Sequence, residues 1–189
     1  MPGAKKIKEA MAKKGIPGEK ISKINFPEGH GSKPSEIMDV VGQMENVLTE
    51  EEILSVMEEQ GCCKTGKPME AHRAFGVKHK DKPLAERVKL LHEEKDMIHK
   101  APCRLNDDGT LSVWWSFEQN GKNGCVCGVV NKLPKGDVIP KSFCGCCGGH
   151  IRSNYQRSLR TKLRLKKIVS SAVGSNGEKQ CEFLFEALE

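Results

Sequence analysis

The stretch KLRLKKIVSSAVGSNGEKQCEFLFEAL, residues 162–188, decides the fold. Lys162 to Val173 and Lys179 to Leu188 are two runs with strand preference, and Ser175-Asn176-Gly177-Glu178 between them holds the Asn-Gly pair of a type I′ turn. That turn sets an expected register in which Val169 lies across from Leu184 and Lys167 across from Glu186. Ile168, Cys181, Phe183 and Phe185 fall on the opposite face and are assigned to the core. The stretch therefore reads as an antiparallel hairpin.

Upstream of it, Phe143 to Arg160 reads as a helix, because Ile151, Tyr155 and Leu159 repeat at i, i+4, i+8 on one face. Gly124 to Leu133, rich in valine, reads as a strand. Cys103 to Leu105 and Thr110 to Phe117 flank the polar turn Asn106-Asp107-Asp108-Gly109 and read as a further hairpin. Before Pro102 the texture is helical. A short amphipathic pattern spans Ala4 to Met11, and Gly15 to Pro34 is broken by glycine and proline. From Ser35, the residues Ile37, Val40, Val41, Met44, Val47 and Leu48 have helical spacing. Thr49 and Glu52 form a capping box that opens a second helix ending at Gly61. Pro68 to Lys78 and Pro83 to about Ile98 make two more, the latter with Leu84, Val88 and Leu91 on one face. The fold class is α+β: an N-terminal helical layer, then an antiparallel sheet with one inserted helix and a C-terminal β-hairpin. The chain divides into a lysine-rich segment (1–34), a helical part (35–101) and a cysteine-rich part (102–189), with 35–189 expected to form one domain.

A chain of 189 residues can bury a sizeable core, and 37% hydrophobic with 30% charged residues suits a globular protein. No apolar run approaches the roughly 20 residues of a membrane helix. Neither a membrane partner nor an export signal is expected, and the location read from the sequence is cytoplasmic. The net charge of +6, from 31 basic against 25 acidic residues, does not by itself imply nucleic acid. Arg152 to Lys167 carries a run of basic residues, but with Tyr155 as its single aromatic and no known nucleic-acid motif it reads as a sheet edge defended by charge, so no nucleic-acid partner is expected.

Nine cysteines are the compositional anomaly, and an odd count without an export signal favours metal ligation or thiol chemistry over a disulfide framework. Cys125-Val126-Cys127 falls on the expected third strand, where a period of two throws both thiols onto one face. Cys144-Gly145-Cys146-Cys147-Gly148-Gly149-His150 follows at a helix start, where glycines let the backbone curl and the helix N-terminus favours thiolates. The candidate metal ligands are therefore Cys125, Cys127, Cys144, Cys146, Cys147 and His150. Cys103, Cys181, Cys62 and Cys63 form a second tier. Thiolate and imidazole ligands suit zinc, and an all-thiolate subset suits an iron–sulfur cluster equally well.

Other features carry less. Gly61 to Lys67 matches the first part of a phosphate-binding loop, but Pro68 stands where Ser or Thr is required. His72, His79, His92 and His99 read as solvated helix-face residues. Trp114 and Trp115 on a strand must face opposite ways, one into the core and one towards a pocket wall.

The ending Val173 to Phe185, with Gly177, Glu178, Cys181 and Phe183 forming a Gly-acid-x-x-Cys-x-Phe hairpin behind the helix 150–160, resembles the small-molecule-binding domain named after 4-vinyl reductase. It is also similar to cysteine-rich proteins of anaerobes, including thiazoline-carboxylate hydrolase-like ones. The resemblance covers the C-terminal half. It implies an α+β ligand-binding domain with zinc nearby. In that family a second cysteine precedes the glycine and joins the metal site, whereas Ser170 to Val173 contain none. The function expected is a thiolate metal-binding protein, with zinc, in a small-molecule-binding or sensing role. The alternatives are a metal- or cysteine-dependent hydrolase and an iron–sulfur redox or sensor protein. A pocket between helices and sheet is expected to take a small molecule, and self-association is left open.

Overall fold

In the computed structural model, which describes residues 2–28, 32–61, 65–94, 97, 100–115, 117–134 and 136–188, the decisive stretch forms β5 (Lys162–Ser170) and β6 (Cys181–Leu188), paired antiparallel. On its other side β6 pairs with β2 (Leu111–Trp115), and β2 pairs with β1 (Cys103–Leu105), giving the antiparallel order β1-β2-β6-β5. Alternation along the strands puts Leu111, Val113, Leu165, Ile168, Phe183 and Phe185 on one face, and all are buried. The C-terminal hairpin and its core residues are as expected.

Its register is not. Lys167 lies across from Leu184 and Arg164 from Glu186, because the ladder is broken by irregularities between Leu165 and Lys167 and between Ile168 and Ser170. The connection is also longer than a two-residue turn. Asn176 and Gly177 do adopt positive φ (52° and 82°), but they sit within residues 171–180, folded back by a Gly177 N–H to Ala172 C=O bond of 2.7 Å.

The expected strand over 124–133 is replaced by a loop and a 3₁₀ turn at Val130–Lys132. Its backbone groups are satisfied locally: Asn131 N–H donates to the Cys127 carbonyl at 3.1 Å, and no neighbouring strand is paired with it. The first hairpin ends at Trp115. Beyond it β3 (Phe117–Gln119) and β4 (Lys122–Gly124) form a separate two-stranded ribbon, tied by Asn123 N–H to the Gly177 carbonyl at 2.9 Å.

The helices are α1 (Ala4–Lys13), α2 (Gly18–Ile21), α3 (Pro34–Val47), α4 (Glu50–Met57), α5 (Lys67–Lys78), α6 (Leu84–Glu93) and α7 (Gly145–Leu159). Thr49 and Glu52 make the expected capping box, with reciprocal bonds of 3.2 and 2.8 Å. α6 stops short of the expected boundary because Glu94 is extended; Ile98 lies outside the described residues. α7, α5 and α6 pack on the sheet and share a core that includes Phe75, Leu91, Ile151 and Tyr155. α1, α3 and α4 enclose a second core with Ile7, Met11, Val41, Met44 and Phe143.

The two cores are joined at the 3₁₀ turn Glu58–Gln60. Buried Glu58 accepts from Arg152 of α7 at 2.7 Å and from the Leu165 N–H of β5 at 2.9 Å, and it pairs with Lys14 after α1 at 3.5 Å. Gly149 of α7 rests on the same turn so closely that a Cβ would collide with the Glu58 carbonyl. Arg152 also pairs with Glu59, and Arg164 with Glu51 and Glu186, so these members of the basic run are neutralised within the fold. His72 corrects the solvated-histidine reading: it is fully buried, with Nδ1 2.7 Å from Ser158 Oγ. His99 lies outside the described residues. No helix among the described residues is long and apolar enough to cross a membrane.

Candidate metal centre

Three segments far apart in sequence bring thiols together. Cys125 and Cys127 come from the loop after β4. Cys144 ends the 3₁₀ turn Lys141–Cys144, and Cys147 lies in the first turn of α7. Cys181 opens β6. The argument from a shared strand face falls with the strand, yet Cys125 and Cys127 remain neighbours because the loop curls: Cys127 N–H donates to Cys125 Sγ at 3.5 Å.

Four of these thiols, Cys125, Cys127, Cys144 and Cys181, have a donor pointed at them. The Val129 and Val130 N–H groups and the Cys147 thiol all donate to the Cys127 sulfur. Ala172 N–H donates to Cys181 Sγ at 3.3 Å, and the neighbouring Ser171 hydroxyl donates to the Cys144 sulfur. Donors converging on sulfur stabilise the thiolate, the form that binds metal.

The electrostatics follow from burial and from crowding. The Cys147 hydrogen bond, reinforced by the two backbone donors, outweighs burial and brings Cys127 down to about 6, while the same bond together with burial pushes Cys147 up. Burial, and then the proximity of Cys127 and Cys181, raise Cys125 to about 11. Burial together with Cys181 and Cys125 raises Cys144 to about 12, and burial raises Cys181. Cys125, Cys127, Cys144, Cys147 and Cys181 thus lie near one another, and Cys146 adjoins them beside Cys147.

The remaining candidates are placed differently. Cys146 is turned into the second core, its thiol 3.5 Å from the Gln60 carbonyl. His150 is buried, with Asn154 Nδ2 3.4 Å from its Nε2 and its ring 5.4 Å from that of Trp115. Trp115 is in turn the cross-strand partner of Cys181. Cys103 donates to the Val88 carbonyl at 3.9 Å, and burial raises its pKa to about 12. Cys62 and Cys63 lie outside the described residues. Among the described residues, no group of three or more His, Cys, Asp or Glu side chains is arranged to hold a metal ion.

No family model and no curated protein matches the chain. Two solved structures superpose on it loosely. One is an H-NOX protein from S. oneidensis in the Fe(II)NO ligation state, 11% identical over 97% of this chain and 89% of its own, with a TM-score of 0.32. The other is a mutant H-NOX domain from Shewanella oneidensis in the Fe(II)CO ligation state, 11% identical over 100% of this chain and 99% of its own, with a TM-score of 0.35. At TM-scores this low the likeness carries no argument about fold or ligand.

Sequence reasoning missed the donors. Nothing in the composition of Ser171, Ala172, Val129 or Val130 marks them as partners of sulfur. Successive residues of a helix point about 100° apart, which is why Cys146 packs in the second core while its neighbour Cys147 meets Cys127.

Proposed function

We propose that the chain binds a thiophilic metal ion, zinc, through Cys125, Cys127, Cys144 and Cys147, with Cys181 as an adjacent fifth thiol, and that it acts in small-molecule binding or sensing. The observation that supports the metal reading is the nearness of five thiols from three segments, four of them, Cys125, Cys127, Cys144 and Cys181, with backbone or hydroxyl donors on their sulfurs. Loading requires the thiols to turn inwards, and a cysteine does so by rotation about one side-chain torsion. Four thiolates around one ion match the closed tetrahedral pattern of a structural zinc site; the same ligand set also suits an iron–sulfur cluster.

The test is anaerobic purification followed by elemental analysis and a visible spectrum. One zinc per chain in a colourless protein is expected. Stoichiometric iron with visible absorption would replace zinc by a cluster on the same thiols. Cys125→Ser combined with Cys127→Ser should abolish stoichiometric metal, since hydroxyls replace soft ligands. Undiminished metal in that double variant would defeat the assignment.

A further inference from the structure

Two of the gathered sulfurs are in direct contact. Cys147, in the first turn of α7, donates its thiol to the Cys127 sulfur, which also receives the Val129 and Val130 N–H groups. Cys127 packs against the helical core and Cys147 against the sheet core, so the fold makes this contact and nearness in the chain does not. Cys127 is half-buried, whereas Cys144, Cys146 and Cys181 are buried. A sulfur that accepts several hydrogen bonds and still meets solvent is a nucleophile that small oxidants reach. Cys147 needs access only to Cys127, and it has that already. The other thiols are engaged elsewhere: Cys103 with the Val88 carbonyl, Cys146 with the Gln60 carbonyl, and Cys125 with the Cys127 N–H.

We infer that Cys127 and Cys147 form a reversible dithiol–disulfide couple, oxidised by a peroxide and reduced by an external dithiol. The Cys127 sulfur attacks one oxygen of hydrogen peroxide, the O–O bond breaks, and the first water leaves, giving a sulfenic acid on Cys127. The Cys147 sulfur then attacks the Cys127 sulfur. The S–O bond breaks, the S–S bond forms, and the second water departs with the Cys147 proton. Two thiols have lost two electrons and two protons, and the peroxide has taken both. The sulfurs close to about 2.05 Å by turning two cysteine side chains, each about one torsion. The couple stands without the metal reading. Its consequence, that oxidation and zinc loading exclude one another, rests on that reading, because both sulfurs belong to the proposed ligand set.

The test treats the reduced full chain, with and without zinc, with one equivalent of hydrogen peroxide, then digests it with trypsin and sequences the products by tandem mass spectrometry. Peptide 123–132, which carries Cys125 and Cys127, should appear joined to peptide 142–152, which carries Cys144, Cys146 and Cys147, with fragmentation placing the link at Cys127 and Cys147. Dithiothreitol should separate them. In Cys147→Ser, dimedone should trap the sulfenic acid on Cys127 instead, and far-ultraviolet dichroism checks that the variant folds. From the zinc-loaded chain, a chromophoric chelator should collect the ion as the link forms. The couple is overturned if the link joins any other pair, if oxidation proceeds to sulfinic acid with no link, or if dithiothreitol does not reverse it. Zinc retained by the linked protein would overturn the exclusion. A reduced chain that takes up no zinc defeats the proposed function, while the position of the link still decides the couple.

Discussion

Glu58 shows how much one side chain can organise. Its carboxylate is almost inaccessible, yet it satisfies a guanidinium, a lysine and a strand N–H from three different elements. Removing a buried partner leaves the others uncompensated, so Glu58→Ala is expected to cost roughly 3–5 kcal/mol in urea unfolding, towards the lower end because Arg152 keeps Glu59. A loss below about 1 kcal/mol would mean that water replaces the carboxylate freely. Beside it, burial works to raise Glu59, but the Lys14 and Arg152 bonds win and bring it to about 2 from the usual 4.5. A depressed carboxylate contributes its stability fully above its unfolded pKa and loses it as pH falls through the folded one. The stability difference between wild type and Glu59→Gln should therefore be constant above about pH 5 and shrink towards pH 2. A pH-independent difference in urea midpoints would contradict the pairing.

Among the elements, α7 depends on close approach. Gly149→Ala should destabilise by about 1–3 kcal/mol, because the added methyl meets backbone that cannot move aside. Gly18→Ala, with open space around it in α2, should change stability by no more than about 0.5 kcal/mol. Equal effects at the two positions in thermal melts would show that the contact is soft. The elements that could be read from sequence were those whose pattern and packing agree. Ile151, Tyr155 and Leu159 share a face and are buried together, and the alternation in Phe183 and Phe185 places them under α7 as the pleat requires. What could not be read was decided by partners remote in sequence. The valines of 126–130 have strand propensity, but no strand lies beside them, and the N–H groups of Val129 and Val130 go to Cys127. The register of β5 on β6 escaped because its irregularities leave no mark in a hydrophobic pattern. For the site, the density of cysteines pointed to Cys125, Cys127, Cys144 and Cys147, while the weight of Cys181 emerged only once β6 was placed beside β2.

For the whole molecule, the thiols lie where the two cores meet: Cys144, Cys147 and Cys181 pack with the sheet core, and Cys127 packs with the helical one. An ion held there would tie one core to the other. Zinc at a hundredfold excess over its dissociation constant should therefore add about 2.7 kcal/mol to unfolding, and chelation should lower the melting temperature. Hydrogen exchange should quicken first in 125–133 and 171–175, ahead of α3. Uniform change across both cores, or no response to chelator, would argue that the ion links nothing. The order of the strands adds a condition on how the molecule comes into being. β6 lies between β2 and β5 yet follows both in the chain, so a ribosome delivers the outer strands before the one that joins them. Until β6 emerges, β2 and β5 have no common neighbour, and Cys181 cannot join the thiols already synthesised. A chain truncated before residue 181 keeps the four proposed ligands but lacks the strand that joins β2 to β5 and the adjacent fifth thiol, so it should hold the ion more weakly than the full chain.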